Sequence, residues 1–187
     1  MMGEIYFAEP VHLIEQCSPQ VAPITMAAIV QQESGGDSLA LHDNDSGKIY
    51  HLGSLYEAAR MAGELIRQGH SVDIGLAQIN SRNLPSLGLT VDQVLDPCTN
   101  LATAQKVLLS AWTQSGGDLQ GALSAYNTGN THGLSGARYS ASVFEKAGVP
   151  GIPGGHMAKW AIVSQNPVSG THTALTPQTS PLTPQGF

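Results

Sequence analysis

Apolar residues recur along most of this chain at the three-and-four spacing of helices, and polar or glycine-rich breaks separate the runs. Residues 8 to 17 read as a short first helix. Pro23 suits the first turn of a second, which runs through ITMAAIVQQ to Glu33 and stops at Ser34, Gly35 and Gly36. Residues 37 to 53 break the pattern, and a brief alternation through Ile49, Tyr50 and Leu52 predicts a small β-hairpin or irregular loop. Ser54 with Glu57 is a capping box, after which Leu55, Ala58, Ala59, Ala62, Leu65 and Ile66 form an apolar stripe that ends at Gly69. Thr90 with Gln93 is a second, weaker box.

Asp96 suits the cap of the longest helix, with Pro97 in its first turn. Leu101, Ala104, Leu108, Ala111 and Trp112 line one side until Gly116 and Gly117 stop it. Asp118 caps the next helix, in which Leu119, Ala122, Leu123 and Tyr126 share a core-facing side. A last helix around 138 to 147 carries Tyr139, Val143 and Phe144 before GVPGIPGG ends regular structure. The predicted class is mainly α, with one helical domain over residues 1–160 and a small hairpin or loop within it. Over 161–187 no apolar period survives and LTPQ occurs twice, so a Pro/Thr-rich disordered tail is expected.

A chain of 187 residues with 41% hydrophobic content can bury one sizeable core. Its 14 acidic and 8 basic residues give a net charge of -6 with no basic cluster, which argues against nucleic acid or an anionic membrane surface as main partner. Charged residues make up only 12%, and the abundant neutral hydrogen-bonding side chains suit a neutral polyhydroxylated ligand such as a glycan. No run approaches the roughly 20 apolar residues that span a bilayer. The first residues lack the basic start of a secretory signal, and Glu4, Glu9 and Pro10 interrupt their apolar character. A leader outside this sequence, another export route and action inside the cell all stay open.

Cys17 and Cys98 match no metal or redox spacing, leaving a disulfide and two buried thiols as alternatives. The seven histidines show no paired ligand spacing. Asp43-Asn44-Asp45-Ser46-Gly47 is loosely similar to a calcium loop, but its twelfth position is Ser54, not an acid. A solvated turn, no metal and no cofactor are expected.

Glu33 is the leading candidate for chemistry. At the end of an apolar helix it meets the negative end of the helix dipole, and apolar surroundings would disfavour the anion further. Both effects favour the protonated form that a general acid requires. A solvated helix-end Glu without chemistry is the alternative.

Three segments line up around that residue: Glu33-Ser34, Gly75-Leu76-Ala77-Gln78-Ile79 and Ala125-Tyr126-Asn127-Thr128-Gly129. In this order they resemble the catalytic domain of lytic transglycosylases of the soluble Slt type, relatives of goose-type lysozyme. In that family a helix ends in Glu-Ser, a turn reads Gly-Leu-Met-Gln-Ile, and a later helix ends Ala-Tyr-Asn-Ala-Gly. The resemblance covers roughly residues 15 to 147. Finer details resemble the peptidoglycan-opening transglycosylases of type IV secretion and conjugation systems: the Cys-x-Pro-x-Val-Ala-Pro run at 17 to 23, the approach Val72-Asp73-Ile74, and Asp96-Pro97-Cys98-Thr99-Asn100. Because both cysteines fall in family motifs, the resemblance favours a Cys17–Cys98 disulfide.

The resemblance implies a lysozyme-like fold, a monomer in the periplasm or cell envelope, and peptidoglycan glycan strands as substrate. It implies that Glu33 protonates the glycosidic oxygen and then deprotonates the sugar's own C6 hydroxyl, giving a 1,6-anhydro end without a second carboxylate. Tyr126 would hydrogen-bond and orient Glu33. Gln78 and Asn127 would hold acetamido or hydroxyl groups, and Ser34, Asn80 and Tyr139 would join the substrate side, although Ser140 replaces the Val that usually follows that Tyr. For Tyr126 a core hydroxyl bonded to a carbonyl, and for Asn127 a turn cap, stay as alternatives.

Asp73 is the best candidate for a second carboxylate. Were it to place a water across the groove, the enzyme would hydrolyse as a lysozyme does; carboxylates with a water between them stand further apart than the about 5 to 5.5 Å of a pair in which one attacks covalently. The alternative is an Asp that binds nearby backbone amides. A wall-binding or assembly module without turnover is the remaining class.

Overall fold

A computed structural model describes residues 8–149 of the chain, with side chains from His12 onward. The tail expected at 161–187 lies outside these residues. The described chain forms two compact units that divide in sequence between Gln105 and Lys106.

The first unit opens with α1 (Ala8–Cys17) packed on α2 (Pro23–Glu33), where Pro23 stands in the first turn and the backbone N–H of Ser34 closes the last turn on Val30. Met26, Ile29 and Val30 are buried on α2, so this helix is held by packing more than by its ends. The expected hairpin is present as β1 (Ala40–Asp43) and β2 (Lys48–His51). The sheet extends past it through β3 (Val72–Ile74) and β4 (Ile79–Asn80), all antiparallel in the order β2-β1-β3-β4. Strands of three and two residues are too short to show an alternation, which is why they escape a reading of the pattern.

Between β2 and β3 lies α3 (Leu55–Arg67), packed on β1 and β3 through Ala58, Ala62 and Leu65 at the i, i+4, i+7 spacing of one helix face. Leu55, expected in that stripe, is instead 52% exposed at the helix start. Ser54 caps α3 by accepting from the Glu57 N–H at 3.3 Å. After a 3-10 turn at Ser81–Asn83 and the short α4 (Leu84–Leu87), α5 (Val91–Leu95) begins with a complete capping box. The Gln93 N–H donates to Thr90 Oγ1, and the Thr90 N–H donates to Gln93 Oε1.

The longest helix, α6 (Pro97–Gln114), starts under an Asp96 cap, with the Thr99 N–H donating to Asp96 Oδ1 at 2.8 Å. Cys17 at the end of α1 and Cys98 at the start of α6 form a disulfide.

The second unit carries the rest of α6, then α7 (Leu119–Thr128) and α8 (Leu134–Lys146), which pack on each other. Asp118 caps α7 through the Gly121 N–H at 2.8 Å. Gly136 of α8 lies so close to α7 that a Cβ there would stand 2.8 Å from the Ser124 Cα. The last helix starts earlier than the expected 138, because Gly133, Leu134 and Ser135 carry no apolar period that would announce it. Trp112, expected on the core side of α6, is 43% exposed, its ring covering Gly117 beyond the helix end.

Candidate functional site

Glu33 is the last residue of α2 and is partly buried. The next residue fixes its surroundings. Ser34 Oγ donates its one hydrogen to the Leu76 carbonyl at 2.8 Å, with the Val30 carbonyl a longer, shared acceptor at 3.3 Å, and accepts from the Gly36 N–H at 3.2 Å. Gly35 and Gly36 then turn the chain away with φ of 65° and 92°, the left-handed region that glycine enters without steric cost. The carboxylate-bearing helix end is thereby joined to the Gly75–Gln78 turn, so two of the three motif segments meet.

That turn is tightly specified. Gly75 has φ 77°, and a Cβ on it would stand 2.6 Å from Asn100 Nδ2, so it excludes side chains on both conformation and space. Its N–H donates to the Ala40 carbonyl at 2.9 Å. Gln78 is the one non-glycine with positive φ among the described residues, at 50°. Such a conformation costs energy and persists where surrounding contacts over-determine it. Here the Gln78 side-chain amide donates to the Gly75 carbonyl at 2.9 Å and to the Ala40 carbonyl at 3.2 Å. Both amide hydrogens are committed, so Gln78 offers its Oε1 as an acceptor.

Asp73 and Asn80 lie side by side on the opposite face of β3 and β4 from the buried Val72, Ile74 and Ile79. Asp73 Oδ1 accepts from Asn80 Nδ2 at 2.7 Å and Oδ2 from Asn44 Nδ2 at 2.8 Å, with His42 Nδ1 at 3.7 Å. Its partners are side-chain amides rather than the backbone amides of the expected alternative. Asn80 also accepts from the Arg82 N–H at 2.9 Å and bonds Ser71, so it caps the 3-10 turn.

In the second unit Tyr126, on α7, is partly buried and stacks on Tyr139 of α8, ring centroids 6.4 Å apart and planes 20° from parallel. Tyr139 is itself buried. Asn127 is exposed. The helix end after it is closed by Thr128 Oγ1, which donates to the Ser124 carbonyl at 2.8 Å, and by Gly129 at φ 74°, so the capping considered for Asn127 falls to its neighbours.

Asp43, Asp45 and His70 bring ligand-type atoms within 4.8 Å of one another. Those atoms are already engaged. Asp43 accepts from the Ser46 hydroxyl, from His70 Nδ1 at 2.9 Å and from the N–H groups of Asp45 and Ser46, while Asp45 Oδ2 accepts from the Ser71 N–H at 2.7 Å. The 43–47 turn, expected as solvated, therefore has a buried first residue, Asp43 at 1% exposure. The Ser46 hydroxyl above all, then His70 and the backbone N–H groups, hold the Asp43 carboxyl down to about 2 against the opposing effect of desolvation.

A residue whose role the sequence does not announce is Asn100. It is 1% exposed, and Oδ1 accepts from the Ala77 N–H at 2.9 Å while Nδ2 donates to the carbonyls of Ile74 and Val94 at 2.9 and 2.8 Å. An Asn in the first turn of a helix that already has its Asp cap is the signal that could have found it.

Among the described residues no helix is long and apolar enough to cross a membrane. No solved structure matches the chain significantly. Protein virB1 of Agrobacterium fabrum (strain C58 / ATCC 33970) is 44% identical over 137 residues, covering 68% of this chain and 55% of that protein. The type IV secretion system protein virB1 of Brucella abortus biovar 1 (strain 9-941) is 40% identical over 129 residues, covering 65% and 54%. The chain thus spans about half the length of these curated relatives. The family model for the transglycosylase SLT domain matches residues 12–145, which takes in the whole Ser34-to-Leu76 junction and both tyrosines. On that match the chain belongs to the transglycosylase SLT domain family.

Proposed function

We propose that the chain is a peptidoglycan lytic transglycosylase that cleaves the β-1,4 bond between MurNAc and GlcNAc and leaves a 1,6-anhydro-MurNAc end. The observation that carries this reading is Glu33 at the end of α2, with Ser34 tying that end to the turn that bears Gln78.

Glu33 donates its proton to the glycosidic oxygen as the bond from C1 to that oxygen breaks, and the leaving sugar departs as the neutral alcohol. The substrate's own N-acetyl oxygen stabilises C1. The Glu33 carboxylate then takes the proton of the C6 hydroxyl as that oxygen bonds C1, which returns Glu33 to its starting acid form. No water is consumed. Gln78 accepts a hydrogen bond from a substrate N–H or O–H, consistent with its committed amide. Tyr126 is assigned the orienting role, and Asn127 and Tyr139 the substrate, on the motif match alone.

Hydrolysis through Asp73 is the less favoured reading, because Asn44 and Asn80 already engage both of its oxygens. The Cys17–Cys98 disulfide suits an oxidising compartment, and the Brucella abortus relative bears the name of a type IV secretion system protein. We therefore place the activity in the periplasm or cell envelope, opening the wall for such an apparatus.

Mass spectrometry of sacculi digested by the full chain tests the reaction. Anhydro ends released by the wild type and lost in Glu33→Gln, with the fold retained, are expected. Reducing ends instead would mean hydrolysis, and glycan binding without product would mean a wall-binding module.

A further inference from the structure

The Gly75–Gln78 turn is held from two sides. Ser34 grips the Leu76 carbonyl from the end of α2. On the other side Asn100 accepts from the Ala77 N–H, donates to the carbonyl of Ile74 just before the turn, and spends its remaining hydrogen on Val94 at the end of α5. One buried amide thus closes the two peptide units that flank Gly75 and Leu76, and anchors them to α5 and α6. Gly75 is the counterpart of this contact, since any side chain there would displace the amide.

Gln78 leans on Gly75 for its left-handed conformation, because its backbone N–H and one hydrogen of its side-chain amide both donate to the Gly75 carbonyl, at 3.2 and 2.9 Å, while the other amide hydrogen goes to the Ala40 carbonyl at 3.2 Å. Movement of Gly75 releases both bonds to its carbonyl, and with them the direction in which Oε1 points. The geometry points to Asn100 as a positioning residue for glycan recognition: it touches no substrate, and it sets the aim of the Gln78 acceptor through the Gly75–Ala77 backbone. This rests on Gln78 being a substrate contact in the proposed transglycosylase.

Removing the Asn100 side chain takes away three buried hydrogen bonds, those to the Ile74 and Val94 carbonyls and that from the Ala77 N–H, so some loss of stability accompanies any effect on recognition. The test separates the two. In the full chain carrying Glu33→Gln, which binds without turnover, affinity for uncrosslinked peptidoglycan glycan fragments is measured by calorimetry with and without Asn100→Ala. Leu65→Ala on α3 serves as a control of lowered stability. All measurements are made well below each variant's unfolding midpoint.

Asn100→Ala is expected to weaken binding at least tenfold and to speed hydrogen exchange of the Ala77 amide at least tenfold, while Leu65→Ala leaves affinity within about twofold of the Glu33→Gln chain. Should the alanine variant not fold, Asn100→Asp keeps the acceptor for Ala77, loses both donors, and is expected to show the same loss of affinity. Unchanged affinity in the Asn100 variants, an equal loss in the Leu65 control, or no glycan binding by the Glu33→Gln chain would each overturn the inference. Absence of anhydro products from the wild type, with this affinity pattern intact, would instead sink the enzymatic reading alone.

Discussion

Ser34 donates its hydroxyl to the Leu76 carbonyl at 2.8 Å, a bond that reaches across 42 positions of sequence from the residue beside Glu33 to the middle of the Gly75–Gln78 turn. A serine after a helix-end acid could serve only as a local cap, and it does bond Val30 and Gly36. The long-range bond adds a second function, since it fixes the distance between the candidate acid and the candidate substrate-binding turn.

Ser34→Ala should therefore affect turnover more than stability. The lost bond is worth on the order of 1 kcal/mol, a few degrees of unfolding midpoint at most for a chain of this size. Misplacement of the acid relative to the turn is expected to lower the rate of anhydro-product release about tenfold or more. Product release by mass spectrometry alongside a thermal melt checks both.

Asp43 gives the chain an acid-sensitive point. Its carboxyl is held at about 2 in the folded chain, chiefly by the Ser46 hydroxyl, whereas an unfolded Asp titrates near its ordinary value of roughly 3.9. A depressed folded value contributes stability that is fully present above the unfolded value and is lost as pH falls through the folded one. Thermal melts between pH 5 and pH 2 should therefore show a decline below about pH 4 that is shallower in Asp43→Asn than in the wild type.

The Cys17–Cys98 disulfide closes a loop with a sequence separation of 81. On the chain-entropy model a loop of that length restricts the unfolded state by about 4 to 5 kcal/mol. The double variant Cys17→Ser/Cys98→Ser, or the reduced chain, should melt on the order of 10 °C lower than the oxidised one. Differential scanning calorimetry with and without reductant measures it.

Gly136 tests the second unit. A methyl group there meets Ser124 Oγ at 2.0 Å and the Ser124 Cα at 2.8 Å, so Gly136→Ala must push α7 and α8 apart. A loss of about 1 to 3 kcal/mol is expected from such overpacking. Gly133→Ala, with an extended backbone and nothing within 4 Å, should leave stability nearly unchanged, and urea unfolding of the two variants makes the comparison.

The legible parts of the fold are those written in local chemistry. Pro23 and the Ser34-Gly35-Gly36 stop bound α2 at the expected residues, and Asp96 and Asp118 cap their helices through the N–H groups of Thr99 and Gly121 as their positions predict. Thr90 and Gln93, the weaker of the two boxes in sequence, form the fully reciprocal one. Ser54 instead donates its hydroxyl to the Glu57 carboxylate. What local chemistry could not convey is pairing at a distance: the addition of β3 and β4 to the hairpin, and the roles of Ser34 and Asn100, whose partners lie 42 and 23 positions away. Asn80, which the family resemblance puts on the substrate side, also has local partners that the sequence does not announce, in Ser71, Asp73 and Arg82.

The close approach of Gly75 to the Asn100 amide also constrains how sequences of this fold can diverge. A side chain at position 75 would need the amide at 100 to withdraw, and a withdrawn amide abandons Ala77, Ile74 and Val94 together. Neither position can drift by single steps without passing through a weakened intermediate. Gly at 75 and Asn at 100 should therefore persist as a pair or be replaced as a pair.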